Sequence, residues 1–359
     1  MKRERIQSFD LIRALCTVGI VLFHYSYNFI ELSISGSHLV FARFPSGNWG
    51  GMMVAMFFML SGAVLWYNYG EKFSPGHFFI RRWLSIFPMF YAAWFVVYLY
   101  KVKELGNWYW AGPRRVFLQT FFGVDGYLLK PGVNMNYYTV GEWFLGAIVI
   151  LYALFPIVRF LFMRNRFTGI ALRVIFTVIL TVAFILNLYR DWFDISDGKN
   201  MITCLMGFWM GMLLMEIYIK KIKDMSPKGR RILGVSCAVL SILVTVIAIE
   251  GVSEVIISHI CGILWMTVLM LVGERLMDIK PVNLVCTYIS KWSFGIFLVH
   301  HVLLYAIMKR FENGSMGFFA SVGVFLINLT IICFFGAVLS AWGSFVNMLY
   351  KKLEGVFKK

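Results

Sequence analysis

Long apolar runs alternate with short polar gaps along the whole chain. A helix needs about 20 mainly apolar residues to cross the hydrocarbon core of a bilayer. By this criterion we predict ten transmembrane helices, near residues 8–29, 49–69, 83–100, 139–161, 168–188, 201–219, 232–250, 254–273, 292–309 and 318–348. The pattern therefore predicts an all-α, polytopic membrane protein whose helices form a single bundle.

The composition agrees with this pattern and narrows the function classes. Hydrophobic residues make up 60% of the 359 residues and charged residues only 14%, which excludes an ordinary soluble domain. The net charge of +16 does not indicate a nucleic-acid partner, because the basic residues stand mainly in short gaps between apolar runs, where they act as topology signals. The six cysteines lie singly within apolar stretches, so we expect neither a disulfide framework nor a metal site.

The distribution of Lys and Arg over the gaps predicts the orientation of the chain. A cytoplasmic N-terminus places most of these residues on the cytoplasmic side, so we expect both termini inside. The basic start resembles a signal peptide, but Asp10, Arg13 and His24 interrupt the apolar run and no cleavage site follows, so we expect a retained helix. We interpret residues 1–359 as one transmembrane domain without an appended soluble domain, and 101–137 as an aromatic-rich segment at the outer interface.

Arg13 and His24 are the first candidates for chemistry, because an ionisable side chain in hydrocarbon is costly unless it faces the bundle interior or water. They are eleven residues apart, which brings both side chains to one helix face, about 16 Å apart along the axis. Asp10 precedes Arg13 by nearly one turn and can pair with its guanidinium. The alternative is structural, with Arg13 reaching the headgroups and His24 packed as a core histidine.

Three further ionisable residues lie within predicted helices. Glu142 would reach a depth similar to that of His24, where a carboxylate can orient an imidazole that acts as a general base. Its alternative role is an N-terminal helix charge favoured by the macrodipole. His300 and His301 are adjacent, so their side chains point about 100° apart and only one is expected to face a site. We favour His300, with a structural hydrogen bond between helices as the alternative.

Two other segments contain candidate binding residues. Arg81 and Arg82 belong to the run FIRRWLSIFP, which we expect at the inner interface, where guanidinium groups bind lipid headgroups or cofactor phosphates. Ser61 and Gly62 belong to MFFMLSGAVL on the second predicted helix. Charge alone favours lipid binding for the two arginines, and small residues in a membrane helix usually allow close helix packing.

These strings together resemble the acyltransferase 3 family of integral membrane acyltransferases, whose members are often O-acetyltransferases of surface carbohydrates. FDLIRALCTVGIVLFHY resembles the arginine and histidine pair of the family's first helix, with Arg13 and His24 in the matching positions. Four more strings resemble family strings in the right order, namely FFMLSG, FIRRWLSIFP, WFLGAIVILYALFP and SFGIFLVH. The resemblance runs through most of the chain.

The chain departs from the family pattern at two positions. In the arginine stretch Arg82 fills the first of two arginine positions and Ser85 occupies the second, so Arg81 is the candidate substitute. Many members have an acidic residue two positions before the paired phenylalanines, where this chain has Ala55. Either Glu142 takes over that acidic role or none is needed.

The resemblance implies a donor, an acceptor and roles for the candidate residues. The donor would be a cytoplasmic acyl-CoA, most often acetyl-CoA, and the acceptor a hydroxyl of a cell-surface or lipid-linked carbohydrate. Residues assigned to donor binding are Arg13, Arg81, Arg82 and Ser61. His24 would remove the acceptor proton, and Glu142 or His300 would orient His24 or carry its proton. Direct transfer and an acyl-histidine intermediate both remain open.

Two other function classes are compatible with the pattern. A transporter or flippase of a lipid-linked sugar or other small molecule also has polar residues at depth, but we find no inverted repeat and no pair of broken helices that would indicate one. A membrane sensor or assembly component would tolerate replacement of Arg13 and His24. All three classes imply contact with membrane lipids, and we expect the bacterial cytoplasmic membrane as the location.

Overall fold

The computed structural model describes residues 4–36, 42–128, 136–163, 166–190 and 195–357, without the side chains of residues 142, 163, 166–168 and 356–357. Helices account for most of this part of the chain. They are α1 (Ser8–Glu31), α2 (Trp49–Tyr69), α3 (Pro75–Leu105), the short α4 (Phe117–Phe121), α5 (Glu142–Met163), α6 (Arg166–Arg190), α7 (Met201–Ile217), α8 (Pro227–Val246), α9 (Glu254–Met277), α10 (Lys280–Met308) and α11 (Phe318–Phe357). Within the described ranges ten helices are long and apolar enough to cross a membrane, which confirms the prediction of an all-α, polytopic membrane protein with ten transmembrane helices.

Short elements connect these helices. They are a 3₁₀ turn before α4 (Arg114–Val116), a π-helical turn after α7 (Tyr218–Ile222) and a 3₁₀ turn after α10 (Lys309–Phe311). The strands have two residues each and are β1 (Ser35–Gly36), β2 (Arg43–Phe44), β3 (Gly47–Asn48) and β4 (Ser315–Met316). β1 pairs in parallel with β4, and β2 pairs antiparallel with β3.

Two predicted helix starts were wrong. α3 begins at Pro75 rather than near residue 83, and α10 begins at Lys280 rather than near residue 292. Apolar composition marks only the part of a helix that lies in hydrocarbon, whereas the helical hydrogen bonds continue into the polar layer. Proline is also favourable at the first helical position, where its missing N–H leaves no bond unmade. Arg81 and Arg82 therefore lie within α3 and do not open it.

The chain divides into two compact units. Unit 1 comprises Met1–Tyr27, His38–Phe73 and Leu154–Ser290, and unit 2 comprises Asn28–Ser37, Ser74–Ala153 and Lys291–Lys359. Three of the five boundaries between the units fall within helices, namely α1, α5 and α10. The assignment of residues 1–359 to one transmembrane domain stays a prediction.

Glycines set the close packing of α2 against α7 in unit 1. A Cβ atom on Gly62 would collide with the backbone carbonyl of Phe208, and one on Gly211 would collide with the backbone of Met59. Neither obstacle can move by a side-chain rotation, so the two helices approach this closely only because both positions lack a side chain. The predicted packing role of the small residues beside Ser61 is confirmed at Gly62.

Unit 2 is built around contacts of α3 and α10 with α11. A Cβ atom on Gly295 would lie 2.5 Å from the carbonyl oxygen of Gly336, so α10 and α11 also touch backbone to backbone. Trp342 on α11 donates its indole N–H to the carbonyl oxygen of Pro88 on α3, at 3.1 Å. This bond satisfies a polar group that hydrocarbon would otherwise leave without a partner.

Candidate functional site

The guanidinium of Arg13 is held by two side chains of unit 1. Its Nη1 donates to Oγ of Ser290 at 3.0 Å and lies 3.7 Å from Oδ1 of Asp10. Ser290 in turn donates its hydroxyl hydrogen to the same Asp10 oxygen, at 2.6 Å. The ion pair that the spacing of Asp10 and Arg13 predicted is therefore present, and Ser290 closes a three-membered network.

Asp10 is shared between two guanidinium groups. Nε of Arg5 donates to its Oδ2 at 2.9 Å, on the side opposite Arg13. Asp10 is buried, whereas the side chain of Arg13 keeps 30% of its surface exposed. Because one carboxylate stands between two cations, the cluster keeps one positive charge beyond what Asp10 neutralises. Such a cluster is suited to hold a phosphate or carboxylate group by charge-assisted hydrogen bonds.

Ser290 is the partner that sequence reasoning missed. It lies on α10, 277 residues from Arg13, and the strings around it contain no pattern that links them to α1. A serine in an apolar helix is ordinary in sequence, so only the folded chain reveals its contact with Arg13 and Asp10. The nearest signal was the resemblance of SFGIFLVH, which begins three residues further on.

His24 lies eleven residues after Arg13 on the same uninterrupted helix, so the axial separation of about 16 Å stands. Its ring is half-buried and meets the ring of Phe23 edge to face, at 5.3 Å between centroids. This part of α1 packs against the start of α2, where a Cβ atom on Gly50 would lie 2.7 Å from the Phe23 ring. The catalytic role of His24 stays a prediction.

Ser61 lies on α2 beside the tight contact with α7. It is half-buried, and its neighbour Gly62 faces the backbone of Phe208. The geometry thus gives the string FFMLSG a packing function at Gly62, whereas a donor-binding role of Ser61 stays a prediction.

Arg81 and Arg82 point in different directions from the second turn of α3 in unit 2. Arg81 is exposed, whereas Arg82 is half-buried with its guanidinium carbon 5.6 Å from the centre of the Tyr152 ring. Ser85 uses its hydroxyl to donate to the carbonyl oxygen of Arg82, at 2.9 Å. It therefore supplies no cation at the second arginine position. Arg81 precedes Ser85 by four residues, which is about one turn of α3 and the same helix face, so it stays the candidate substitute.

His300 and Glu142 belong to two helices that pack together in unit 2. His300 is buried and its Nδ1 lies 2.8 Å from the carbonyl oxygen of Phe297, whereas His301 is exposed. A carbonyl oxygen only accepts, so Nδ1 carries the proton and Nε2 is the basic nitrogen of the neutral ring. A Cβ atom on Gly141 would lie 3.5 Å from Leu298, which places the first turn of α5 against α10.

Glu142 opens α5, and its side chain lies outside the described part of the structure. The prediction that only one of the two adjacent histidines faces inward agrees with the burial of His300. The candidates in unit 1 are Arg13, His24 and Ser61, and those in unit 2 are Arg81, Arg82, Glu142 and His300. Among the described residues, no three His, Cys, Asp or Glu side chains are grouped so that they could hold a metal ion.

Comparison with known proteins adds one finding. A family model described as an acyltransferase domain matches residues 6–346, which is nearly the whole chain. No curated protein and no solved structure matches the chain significantly.

Proposed function

Because the chain belongs to the acyltransferase 3 family and is an integral membrane acyltransferase, we propose that it moves an acetyl group from cytoplasmic acetyl-CoA to a hydroxyl of a cell-surface or lipid-linked carbohydrate. The observation that carries this proposal is the match over residues 6–346 together with a fixed cation and an imidazole on one helix, α1. We place the enzyme in the bacterial cytoplasmic membrane with both termini inside.

The positive cluster around Arg13 supports donor binding. An acyl-CoA carries several phosphate oxygens, and guanidinium groups bind such oxygens through paired N–H donors. Asp10 and Ser290 orient the Arg13 fork while leaving part of it exposed to a ligand. Arg82 and the exposed Arg81 are the further candidates for the phosphates, and Ser61 for a contact to the donor.

The chemistry that we assign to His24 is proton removal. The acceptor oxygen attacks the acetyl carbonyl and forms the new ester bond, His24 takes the hydroxyl proton, and the carbon–sulfur bond of the thioester breaks. The thiolate then leaves as coenzyme A after it takes up a proton. General-base catalysis of this kind contributes about 10²- to 10⁴-fold in rate. Glu142 and His300 are assigned to orient His24 or to carry its proton.

Transfer by purified protein tests the proposal. The protein in lipid nanodiscs is incubated with labelled acetyl-CoA, with and without candidate glycans, and both release of coenzyme A and labelling of the glycan are measured. His24→Ala is expected to lose transfer, whereas His301→Ala is the matched control and is expected to retain it, because His301 is exposed. Full activity of His24→Ala would refute the assignment, and a chain that moves glycans across the bilayer without consuming acetyl-CoA would be a transporter instead.

A further inference from the structure

The chain turns back along α3 after this helix ends. Gly106, with a φ of 66°, makes the turn that only a residue without a Cβ adopts easily. The segment that follows then contacts successive turns of α3, from the C-terminal end of that helix towards its middle. Phe117 contacts the rings of Tyr98 and Trp94. Further along, Phe121 contacts the ring of Tyr91, and Gly123 lies beside the ring of Phe87. Eleven residues of helix separate Tyr98 from Phe87, so the returning segment descends about 16 Å along α3.

The length of α3 bears on how deep this descent reaches. α3 has 31 residues and is about 46 Å long, which exceeds the hydrocarbon thickness of about 30 Å. Arg82 and Lys101 are the cations nearest to its apolar middle and mark the two polar layers. Phe87 lies fourteen residues before Lys101, so Gly123 beside it lies about 21 Å below the level of that lysine.

Many backbone groups of the segment have hydrogen-bond partners within the protein. A segment in lipid must satisfy its amides and carbonyls with protein partners. Its amides donate within the segment, from Val116 to Pro113, Phe122 to Leu118, Gly123 to Thr120, Val124 to Gln119, and Tyr127 and Leu128 to Val124. Tyr91 donates its hydroxyl to the carbonyl oxygen of Phe121 at 2.6 Å, and Asn136 donates to that of Asp125 at 3.2 Å.

The side chains of the segment are arranged as in a lipid-facing element. Leu118 is 62% exposed, and Phe121 and Phe122 are exposed beside it, whereas Asp125 is only 1% exposed. A loop in water would show the opposite arrangement, with its carboxylate outside and its large apolar residues inside. Phe95 and Val96 on α3 are also exposed, as expected of a membrane helix that presents apolar side chains to lipid.

We propose that residues 116–128 form a re-entrant segment, which enters the membrane from the side at which α3 ends, and that lipid acyl chains cover its face at Leu118, Phe121 and Phe122. Trp108 and Tyr109, both exposed, stand above it at the level where aromatic residues anchor to headgroups. For residues 116–128 the inserted position replaces the interfacial one that we expected for all of 101–137. This proposal is independent of the donor and the acceptor.

The segment also supports the start of α5. A Cβ atom on Gly146 would lie 3.2 Å from the Cα atom of Val124, and one on Gly123 would lie 3.6 Å from Leu145. Asp125 holds the turn at residues 123–126 in shape, because its carboxylate accepts from Thr120 at 2.7 Å and from the amide of Gly126 at 3.1 Å. This turn therefore supports the first turns of α5, the helix that Glu142 opens.

Cysteine reactivity in nanodiscs tests the insertion. Leu118→Cys and Phe122→Cys are compared with Val96→Cys on the lipid face of α3 and with Asn107→Cys in the exposed turn. Each nanodisc holds one copy of the full chain, so that a second copy cannot cover the face. The labelling rate by a water-soluble maleimide is measured, and the unaltered chain gives the background of its six cysteines.

We expect Leu118→Cys and Phe122→Cys to react like Val96→Cys and at least about tenfold more slowly than Asn107→Cys, because a thiolate does not form readily in hydrocarbon. All four variants change exposed side chains, so each is expected to fold. Rates for Leu118→Cys and Phe122→Cys that lie nearer to that of Asn107→Cys would place the segment in water and overturn the proposal.

Discussion

The hydroxyl of Ser290 donates to a carboxylate oxygen of Asp10 at 2.6 Å, although 280 residues separate them in the chain. The same hydroxyl accepts from Arg13, so α10 contributes to the orientation of a guanidinium on α1. The orientation of the Arg13 guanidinium is therefore fixed before any ligand binds, and substitution of Ser290 tests this directly.

Ser290→Ala is expected to weaken donor binding without a large loss in kcat. A hydrogen bond to a charged group contributes about 1.5 kcal/mol or more, so we expect the KM for acetyl-CoA to rise by about tenfold. Steady-state kinetics that separate KM from kcat give the measurement. Ser344→Ala is the control, because that hydroxyl donates within its own helix, to the carbonyl oxygen of Ser340. An unchanged KM in Ser290→Ala would contradict the orienting role.

Ser85→Arg is expected to strengthen donor binding. It restores a cation at the position where the family has its second arginine, one turn from Arg82, and the exposed site accommodates a long side chain. If this pair grips the donor phosphates, the KM for acetyl-CoA falls several-fold, whereas Ser85→Ala leaves it unchanged. A KM that does not fall in Ser85→Arg would show that the phosphates bind elsewhere.

Gly211→Ala is expected to destabilise unit 1. The new Cβ atom would collide with the backbone of Met59, and overpacking of this kind costs about 1–3 kcal/mol. Thermal unfolding in detergent measures the loss as a lower Tm. Gly323→Ala on α11 is the control, because a Cβ atom there meets nothing within 4 Å, and alanine favours the helix. Equal Tm values for the two variants would contradict the close contact of α2 and α7.

Asp125→Ala is expected to destabilise the segment that follows α3. The carboxylate of Asp125 accepts from the hydroxyl of Thr120 at 2.7 Å and from the amide of Gly126 at 3.1 Å, and the substitution removes this acceptor. A buried donor that loses its partner costs about 1–3 kcal/mol. Thermal unfolding in detergent measures the loss as a lower Tm than that of the unaltered chain.

The control for this measurement is Asp278→Ala, because Asp278 is exposed at the end of α9. Its Tm should stay close to that of the unaltered chain. An equally unchanged Tm for Asp125→Ala would contradict the structural role of this carboxylate.

Most of the helices could be predicted from the sequence because the constraint on them is local. A helix that crosses hydrocarbon must be apolar over its own length, so α1 and α2 can be predicted without knowledge of the helices that pack against them. The starts of α3 and α10 were wrong because helices continue past the layer that apolar composition marks. The pairing of Asp10 with Arg13 was predictable for the same local reason, since the helix alone brings the two side chains together.

The contact of Ser290 with Arg13 and the descent of residues 116–128 along α3 could not be predicted in this way. The first depends on two residues that are distant in sequence. The second depends on how far the chain folds back along α3, which no apolar run in the sequence indicates. Phe121 and Phe122 suit an interfacial loop as well as an inserted one, and only their exposure beside a buried Asp125 separates the two.

By itself, the sequence determined that the protein is a helical membrane protein with a cation and an imidazole on one face of its first helix, and its strings pointed to the acyltransferase 3 family. Only the tertiary structure decided which side chains orient Arg13, that His300 rather than His301 is buried, and how the segment after α3 folds back. The physical reason is that the solubility of a helix in lipid is set residue by residue, whereas the partner of a polar group is set by whichever distant helix packs beside it.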